Sequence, residues 1–318
     1  MKVFIAGLIL IVLSGTALLW QRLRDPALPA ASSSEAHGPE RSTRCMVWKV
    51  QRGKAVVWLC GSFHTMLESD YPLPTPYEQA FAESKIIVTE VPQGEANERL
   101  MREQVQKSGQ LSDGMRLSGL LSEKTRTALQ AWSQSSDLSM EKLQAMKPWM
   151  AALAITSAAD GRCGYRSAIG IERHFMDKAG DRRNVGLASP QHQLSFFDKV
   201  EPGIQEQMIL DAIEEDADYD SRRALRTIAW REGDVARLAA LRDDSMRRIG
   251  PLGKLMFTDR NAEWLPVIEQ YLDGTQTVMV LVGAGHLAGP GSLIDLLAGK
   301  GVNPVQMEYR TTRLAAPH

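Results

Sequence analysis

Two stretches of this chain run apolar for several residues, stop at a glycine and present a histidine three positions later. Residues 55–59 lead into Cys60-Gly61-Ser62-Phe63-His64, and residues 278–282 lead into Gly283-Ala284-Gly285-His286. Unbroken runs rich in valine and leucine, closed by small residues, read as strands buried on both faces, the pattern of parallel strands in an open α/β sheet. Residues 85–91 form a third run, which carries Glu90 near its end and stops at Pro92. Upstream, residues 44–50 alternate or run apolar and face residues 55–59 across Gln51-Arg52-Gly53-Lys54, which predicts a β-hairpin centred on Arg52-Gly53.

From about residue 95 to about residue 275 the apolar positions recur at helical spacing. Leu117, Leu120 and Leu121, then Leu129 and Trp132, follow that period, and Pro148 opens a helix over 149–159. Further helices are expected over 77–84, 168–178, 191–197, 204–214, 221–240, 261–272 and 292–298, with short strands over 184–187 and 304–307. The helix over 261–272 sets Trp264, Leu265, Ile268 and Leu272 on one face. Trp230-Arg231-Glu232-Gly233-Asp234 interrupts the pattern, and its glycine marks a helix junction. No repeat of fixed period is present. Strands near both ends with helices between them predict one α/β domain over 43–318. Its mixed central sheet is built from both ends of the chain, and a large helical insertion, about 95–275, covers the site.

The first 24 residues stand apart. Residues 3–20 carry no charge and have polar interruptions only at Ser14 and Thr16. As a helix this run would be roughly 27 Å long, enough for a hydrocarbon core. It reads as a membrane anchor or a signal peptide, and either would export the rest of the chain. Trp20, Arg22 and Arg24 favour the anchor, and the Pro-, Ala- and Ser-rich stretch over 25–42 reads as a disordered linker. The expected location is the cell envelope: tethered to the inner membrane facing the periplasm, or free in the periplasm after cleavage.

With 318 residues, 44% of them hydrophobic, the chain can bury a substantial core. A net charge of −1, with no Lys/Arg cluster beyond short pairs, removes any bulk electrostatic case for nucleic acid. Three cysteines, Cys45, Cys60 and Cys163, are an odd number, so at least one thiol is free or pairs between chains. A hairpin centred on Arg52-Gly53 sets Cys45 opposite Cys60, where an oxidising compartment would permit a bridge; buried, inert thiols are the commoner outcome.

His64, Glu90 and His286 each follow a strand at its carboxyl end, and parallel strands would gather them on one edge of the sheet, where ligands bind. Two imidazoles and a carboxylate suit a divalent metal with a position left for water, which becomes nucleophilic near neutral pH. Glu90 could also serve as general base. A lone histidine after a strand is more often a hydrogen-bonded turn residue, and Glu90 alone could cap a helix; the two matching boxes together with Glu90 carry the functional reading. In Asp259-Arg260-Asn261, Asp or Asn would be an ordinary helix cap, whereas Arg260 could clamp a substrate carboxylate or a developing oxyanion. His174 reads as a helix-surface residue. His37, His192 and His318 receive no role, and the 14 methionines read as core filler.

In order and spacing these motifs resemble the TraB/GumN family. The resemblance is carried by Trp48-Lys49-Val50 with Leu59-Cys60-Gly61-Ser62-Phe63-His64, by Val88-Thr89-Glu90-Val91, and by Gly170-Ile171-Glu172-Arg173-His174-Phe175. It continues through Gln193-Leu194 with Phe197-Asp198, Trp230 with Gly233-Asp234, Arg260-Asn261 with Trp264, and Val282-Gly283-Ala284-Gly285-His286-Leu287 with Gly291. The resemblance implies a fold similar to the erythromycin esterase and ChaN-like haem-binding proteins. For its Tiki branch it implies metal-dependent peptidase activity with manganese or cobalt; zinc also suits the ligand set. Carried over by position, His64, Glu90 and His286 would hold the metal, Glu90 and Arg260 would act in catalysis, and Arg260 with Asn261 would meet the substrate. One departure is Gly186-Leu187-Ala188, where the family often shows Gly-Leu-Glu; if that glutamate binds metal or orients water, Ala188 weakens the activity.

The reading is an exported metal-dependent hydrolase of peptides, in contact with the membrane through its N-terminal segment and with a homodimer left open. Two rivals stand beside it. One is a metal-independent, esterase-like hydrolase in which a histidine paired with Glu90 activates water. The other is a non-enzymatic binder of haem or of a signalling peptide.

Overall fold

A computed structural model describes residues 41–247 and 250–311. Strand β1 (Arg41–Arg52) turns into β2 (Ala55–Ser62), and α1 (Thr75–Glu83) leads to β3 (Ile86–Thr89). Helices α2 (Glu95–Gly109), α3 (Glu123–Gln134), α4 (Pro148–Arg162) and α5 (Ile171–Asp177) precede the short strand β4 (Arg183–Gly186). Four more helices come next: α6 (Pro190–Ser195), α7 (Pro202–Asp216), α8 (Tyr219–Arg231) and α9 (Val235–Met246). The chain then runs through α10 (Arg260–Leu272), β5 (Thr277–Gly283), α11 (Leu293–Gly299) and β6 (Val305–Thr311).

The strands form one sheet in the order β4-β3-β5-β2-β1-β6. β2, β5, β3 and β4 are parallel, and β1 is antiparallel to both β2 and β6. This is the mixed α/β sheet expected from the sequence, drawn from both ends of the chain, with most helices lying between β3 and β5. β3 and the interior of β5 are wholly buried and β2 almost so. Their unbroken apolar runs result from having a covered face on each side.

Apolar side chains collect in two main cores. One packs around the sheet and includes Trp58, Tyr77, Phe175, Trp230 and Trp264. The other lies among the helices and includes Met101, Leu129, Trp149, Ile155 and Ile209.

Three expectations need correction, and one is met in detail. The hairpin turns at Gly53-Lys54, with Arg52 facing Ala55 and Val47 facing Cys60, so Cys45 is not opposite Cys60. All three cysteines are free; Cys45 and Cys60 are buried, and burial pushes the Cys45 thiol up to about 12. The helix junction expected at Gly233 is present, with α8 ending at Arg231 and α9 starting at Val235. Gly233 sits between them at φ +61, where a Cβ would also lie 2.7 Å from the Arg44 carbonyl carbon, so glycine is required on both counts. Asp234 then caps α9 by accepting the Arg237 N–H at 2.9 Å. Helix α10 has no free N-terminus to cap, because a π-helical stretch, Lys254–Asp259, runs straight into it; such stretches recur at functional sites. Arg41 and Ser42, read as the end of a linker, already pair with β6. The anchor or signal reading of residues 3–20, and the remainder of the linker, lie outside the described residues. Among the described residues no helix is long and apolar enough to cross a membrane.

Candidate functional site

Parallel pairing puts the two histidine boxes side by side. β2 and β5 align with Ser62 against Gly283, and β3 and β5 align with Thr89 against Leu281. The carboxyl ends of three neighbouring strands therefore deliver His64, His286 and Glu90 to one place. Gly283 shows how closely they converge. A Cβ at this position would lie 3.3 Å from Glu90 Oε1, 3.6 Å from His286 Cδ2 and 3.9 Å from His64 Nε2. The missing side chain leaves an opening that all three groups face.

Glu90 is buried and held from several sides. Its Oε1 accepts the Gly283 N–H at 2.8 Å; its Oε2 accepts Arg260 Nη2 at 2.7 Å and Gln193 Nε2 at 3.2 Å. Arg260 Nη2 also donates to Gln193 Oε1 at 2.7 Å, and its guanidinium stacks 4.4 Å from the Trp264 ring centre. Burial opposes ionisation of Glu90, but Arg260, then the two histidines, hold its carboxyl well below the usual range.

The histidines are held from behind by different partners. His64 Nδ1 lies 2.9 Å from Glu172 Oε1, and the Ser62 hydroxyl donates to the same oxygen. Burial pulls the His64 pKa down, but the Glu172 charge and hydrogen bond, and then Glu90, lift it to about 9. His286 Nδ1 lies 2.7 Å from Asn261 Oδ1, while Asn261 Nδ2 donates to the carbonyls of Gly291 at 2.9 Å and His286 at 3.4 Å. With the amide nitrogen turned to two carbonyls, its oxygen faces the ring. Nδ1 of His286 therefore carries the proton and Nε2, 3.8 Å from Glu90 Oε1, keeps its lone pair. Burial pushes His286 down to about 3, so the ring is neutral.

Above this floor lies a cavity of about 410 Å³ between the sheet edge and the helices. His64, Glu90, Arg260 and His286 line it together with Gln193. Asn261, expected at the substrate, lies behind His286 and is buried. The backbone N–H of Ala188 donates to the Glu90 carbonyl at 2.8 Å, and its side chain is not part of the cavity wall. His174 pairs with Glu78 and Lys178 on an outer face, and His192 pairs with Glu263 at an exposed position. The sequence reading missed Glu172 and Gln193. Each left a signal. Glu172 stands beside Ile171 and Phe175 on the buried stripe of α5, where a carboxylate needs a partner, and Gln193 belongs to the Gln-Leu motif.

Among the described residues no group of three His, Cys, Asp or Glu has the geometry to hold a metal ion. The donor chemistry nonetheless fits a divalent ion. Each imidazole has its outer nitrogen hydrogen-bonded, the arrangement that orients metal-ligating histidines. Glu90 Oε1 accepts a single hydrogen bond, which leaves it a lone pair. Closing such a site would require Glu90 Oε1 and His286 Nε2 to approach from 3.8 Å and His64 Nε2 to give up its proton.

Residues 46–306 match the TraB/PrgY/gumN family, a span that runs from β1 into β6 and takes in both histidine boxes, Glu90, Glu172 and Arg260. No curated protein and no solved structure matches the chain. The chain belongs to the TraB/PrgY/gumN family.

Proposed function

We propose that this protein is an exported, metal-dependent hydrolase that acts on peptides. The observation that carries the proposal is the convergence of His64, His286 and Glu90 on the opening at Gly283, with Glu172 and Asn261 orienting the two rings from behind. His64, His286 and Glu90 would hold the ion, manganese, cobalt or zinc. When bound, it supplies Lewis acidity and lowers the pKa of water. Glu172 and Asn261 keep the ring protons on the outer nitrogens, so both Nε2 atoms face inward. Arg260 keeps Glu90 ionised and weakly basic, which suits a metal ligand more than a general base. Arg260, held by Glu90, Gln193, Trp264 and the Met256 carbonyl at the cavity wall, would supply positive charge to an oxyanion forming there. Export is inferred from the character of residues 3–20.

Metal analysis of the full chain, purified without chelator, tests this reading beside the His64→Ala/His286→Ala double variant. Stoichiometric metal in the parent, none in the variant, and loss of peptide cleavage with the metal are expected. An absence of metal in both, even after soaking with manganese, cobalt or zinc, overturns the metal assignment. Turnover that survives exhaustive chelation would then select a metal-independent hydrolase. A Soret band on adding haem, lost in either histidine variant, would select a binding protein instead.

A further inference from the structure

We infer that the cavity receives one bulky apolar side chain of a peptide next to the bond to be cut, so that this protein selects residues of leucine, methionine or phenylalanine size. The inference rests on the hydrolase reading above and names its substrate class. Three features of the cavity argue for it.

The first is the wall. Past the polar floor, the cavity is lined by Phe196, Phe197, Met208, Leu252, Met256 and Phe257. One part of that wall is stiff: Phe197 stacks on Trp149 with ring centres 4.4 Å apart and planes 7° apart. The methionines are unbranched and adapt to different apolar shapes, which suits a range of aliphatic and aromatic side chains over a single one.

The second is charge. The cations of the cavity already have partners within the protein. Arg226 donates to both Glu215 oxygens at 3.0 and 3.2 Å and to Ser245 Oγ at 2.7 Å. Arg242 donates to the carbonyls of Gly285 and Ala288 at 2.8 and 2.6 Å and pairs with Asp243, and Arg260 pairs with Glu90. An acidic side chain entering here would lose its water and meet only arginines already engaged within the protein, which is unfavourable. Apolar area is what the wall has to offer.

The third is size. At about 410 Å³ the cavity stands near the small end of ligand pockets, which run from about 300 to about 1,000 Å³. A side chain with its flanking backbone fits that volume; a folded partner does not. Two lining positions, Ala152 and Ala212, are small and leave the room open.

The test uses a constant, unstructured decapeptide carrying Gly, Ala, Leu, Phe, Asp or Lys at one position. Cleavage by the metal-loaded protein is monitored by mass spectrometry, and binding of each peptide to the chelated protein is measured by calorimetry. The Leu and Phe peptides should exceed the Gly and Asp peptides on the order of 100-fold in kcat/KM, with the same ranking in binding. Ala212→Phe should fill the slot, lowering cleavage of the Phe peptide by about tenfold or more and that of the Ala peptide by much less. Met256→Ala, which enlarges the slot, should raise the Phe peptide relative to Leu and serves if Ala212→Phe does not fold. Equal cleavage across the series, indifferent to both variants, overturns this inference and leaves the hydrolase reading standing. Apolar-selective binding with no cleavage supports the slot and overturns the hydrolase reading. Neither cleavage nor selective binding overturns both.

Discussion

At the end of β2, His64 rests on the carboxylate of Glu172; at the end of β5, His286 rests on the amide of Asn261. The outer nitrogens lie 2.9 and 2.7 Å from their partners, so the two arrangements are nearly alike in geometry. Their protonation differs. His64 is lifted to about 9 and is a cation at neutral pH, whereas His286 is pushed down to about 3 and stays neutral. The strand, the glycine box and the hydrogen-bond length are shared, and burial acts downward on both rings. The charge of the partner decides. In the metal-free protein the outcome is balanced, with His64 and Arg260 as cations against Glu90 and Glu172 as anions.

The most drastic way to break this comparison is to fill the space between the rings. Gly283 has φ −48, which any residue adopts, so Gly283→Val should fold. Its side chain would take the opening shared by His64, His286 and Glu90 and should lower kcat/KM by about 100-fold or more, with a modest fall in Tm. Activity near that of the parent would show that the opening is not where chemistry occurs.

Next in size is the pH dependence of stability in the chelated protein. For His64 the folded pKa is raised from 6.5 to about 9, so its stabilisation is fully present below 6.5 and is lost as pH rises toward 9. For His286 the folded pKa is lowered from 6.5 to about 3. Below 6.5 the unfolded chain takes up a proton that the folded chain refuses, so stability falls toward pH 3. In urea unfolding the alkaline wing should amount to about 3 kcal/mol and the acid wing to about 5 kcal/mol. Glu172→Gln should flatten the alkaline wing and leave the acid wing in place; an unchanged alkaline wing would remove Glu172 as its cause.

Asn261→Asp sharpens the comparison from the other side, because it gives His286 a carboxylate like that of His64. The His286 pKa should rise, as read from its ring-proton NMR titration. The carbonyls of Gly291 and His286 would lose their donor, at a cost of about 1–3 kcal/mol. The smallest effect is expected of Ser62→Ala. Removing one donor from Glu172 should cost about 1 kcal/mol, and the His64 pKa should rise slightly as Glu172 turns wholly to the ring. A fall in that pKa would contradict the placement of the serine hydroxyl.

Much of this arrangement was legible in the chain. The apolar runs ending in Gly-x-x-His and in Glu90 located three parallel strand ends, because only strands covered on both faces tolerate such runs. The partners behind the histidines were harder to read. Glu172 lies in a short helix whose sequence also offers His174, and spacing alone does not say which of two neighbouring polar residues faces inward. Asn261 read as a cap because the π-helical stretch before α10 has no sequence signature that sets it apart from an ordinary helix start. The cysteine register failed by a single position in the hairpin turn, and in a strand of period 2 such a slip moves each side chain to a different neighbour.

The sheet order has a consequence in time. β2 pairs with β5 and β1 with β6, and the bond from the Gly283 N–H to Glu90 joins groups 193 residues apart. A chain emerging from its N-terminus has His64 and Glu90 early but lacks Arg260, Gly283 and His286 until nearly everything else has appeared. Contacts this distant in sequence form late, because a long loop must close before they are rewarded. The nascent chain therefore holds no assembled site until its last strands have paired, which makes the convergence at Gly283 a late product of synthesis.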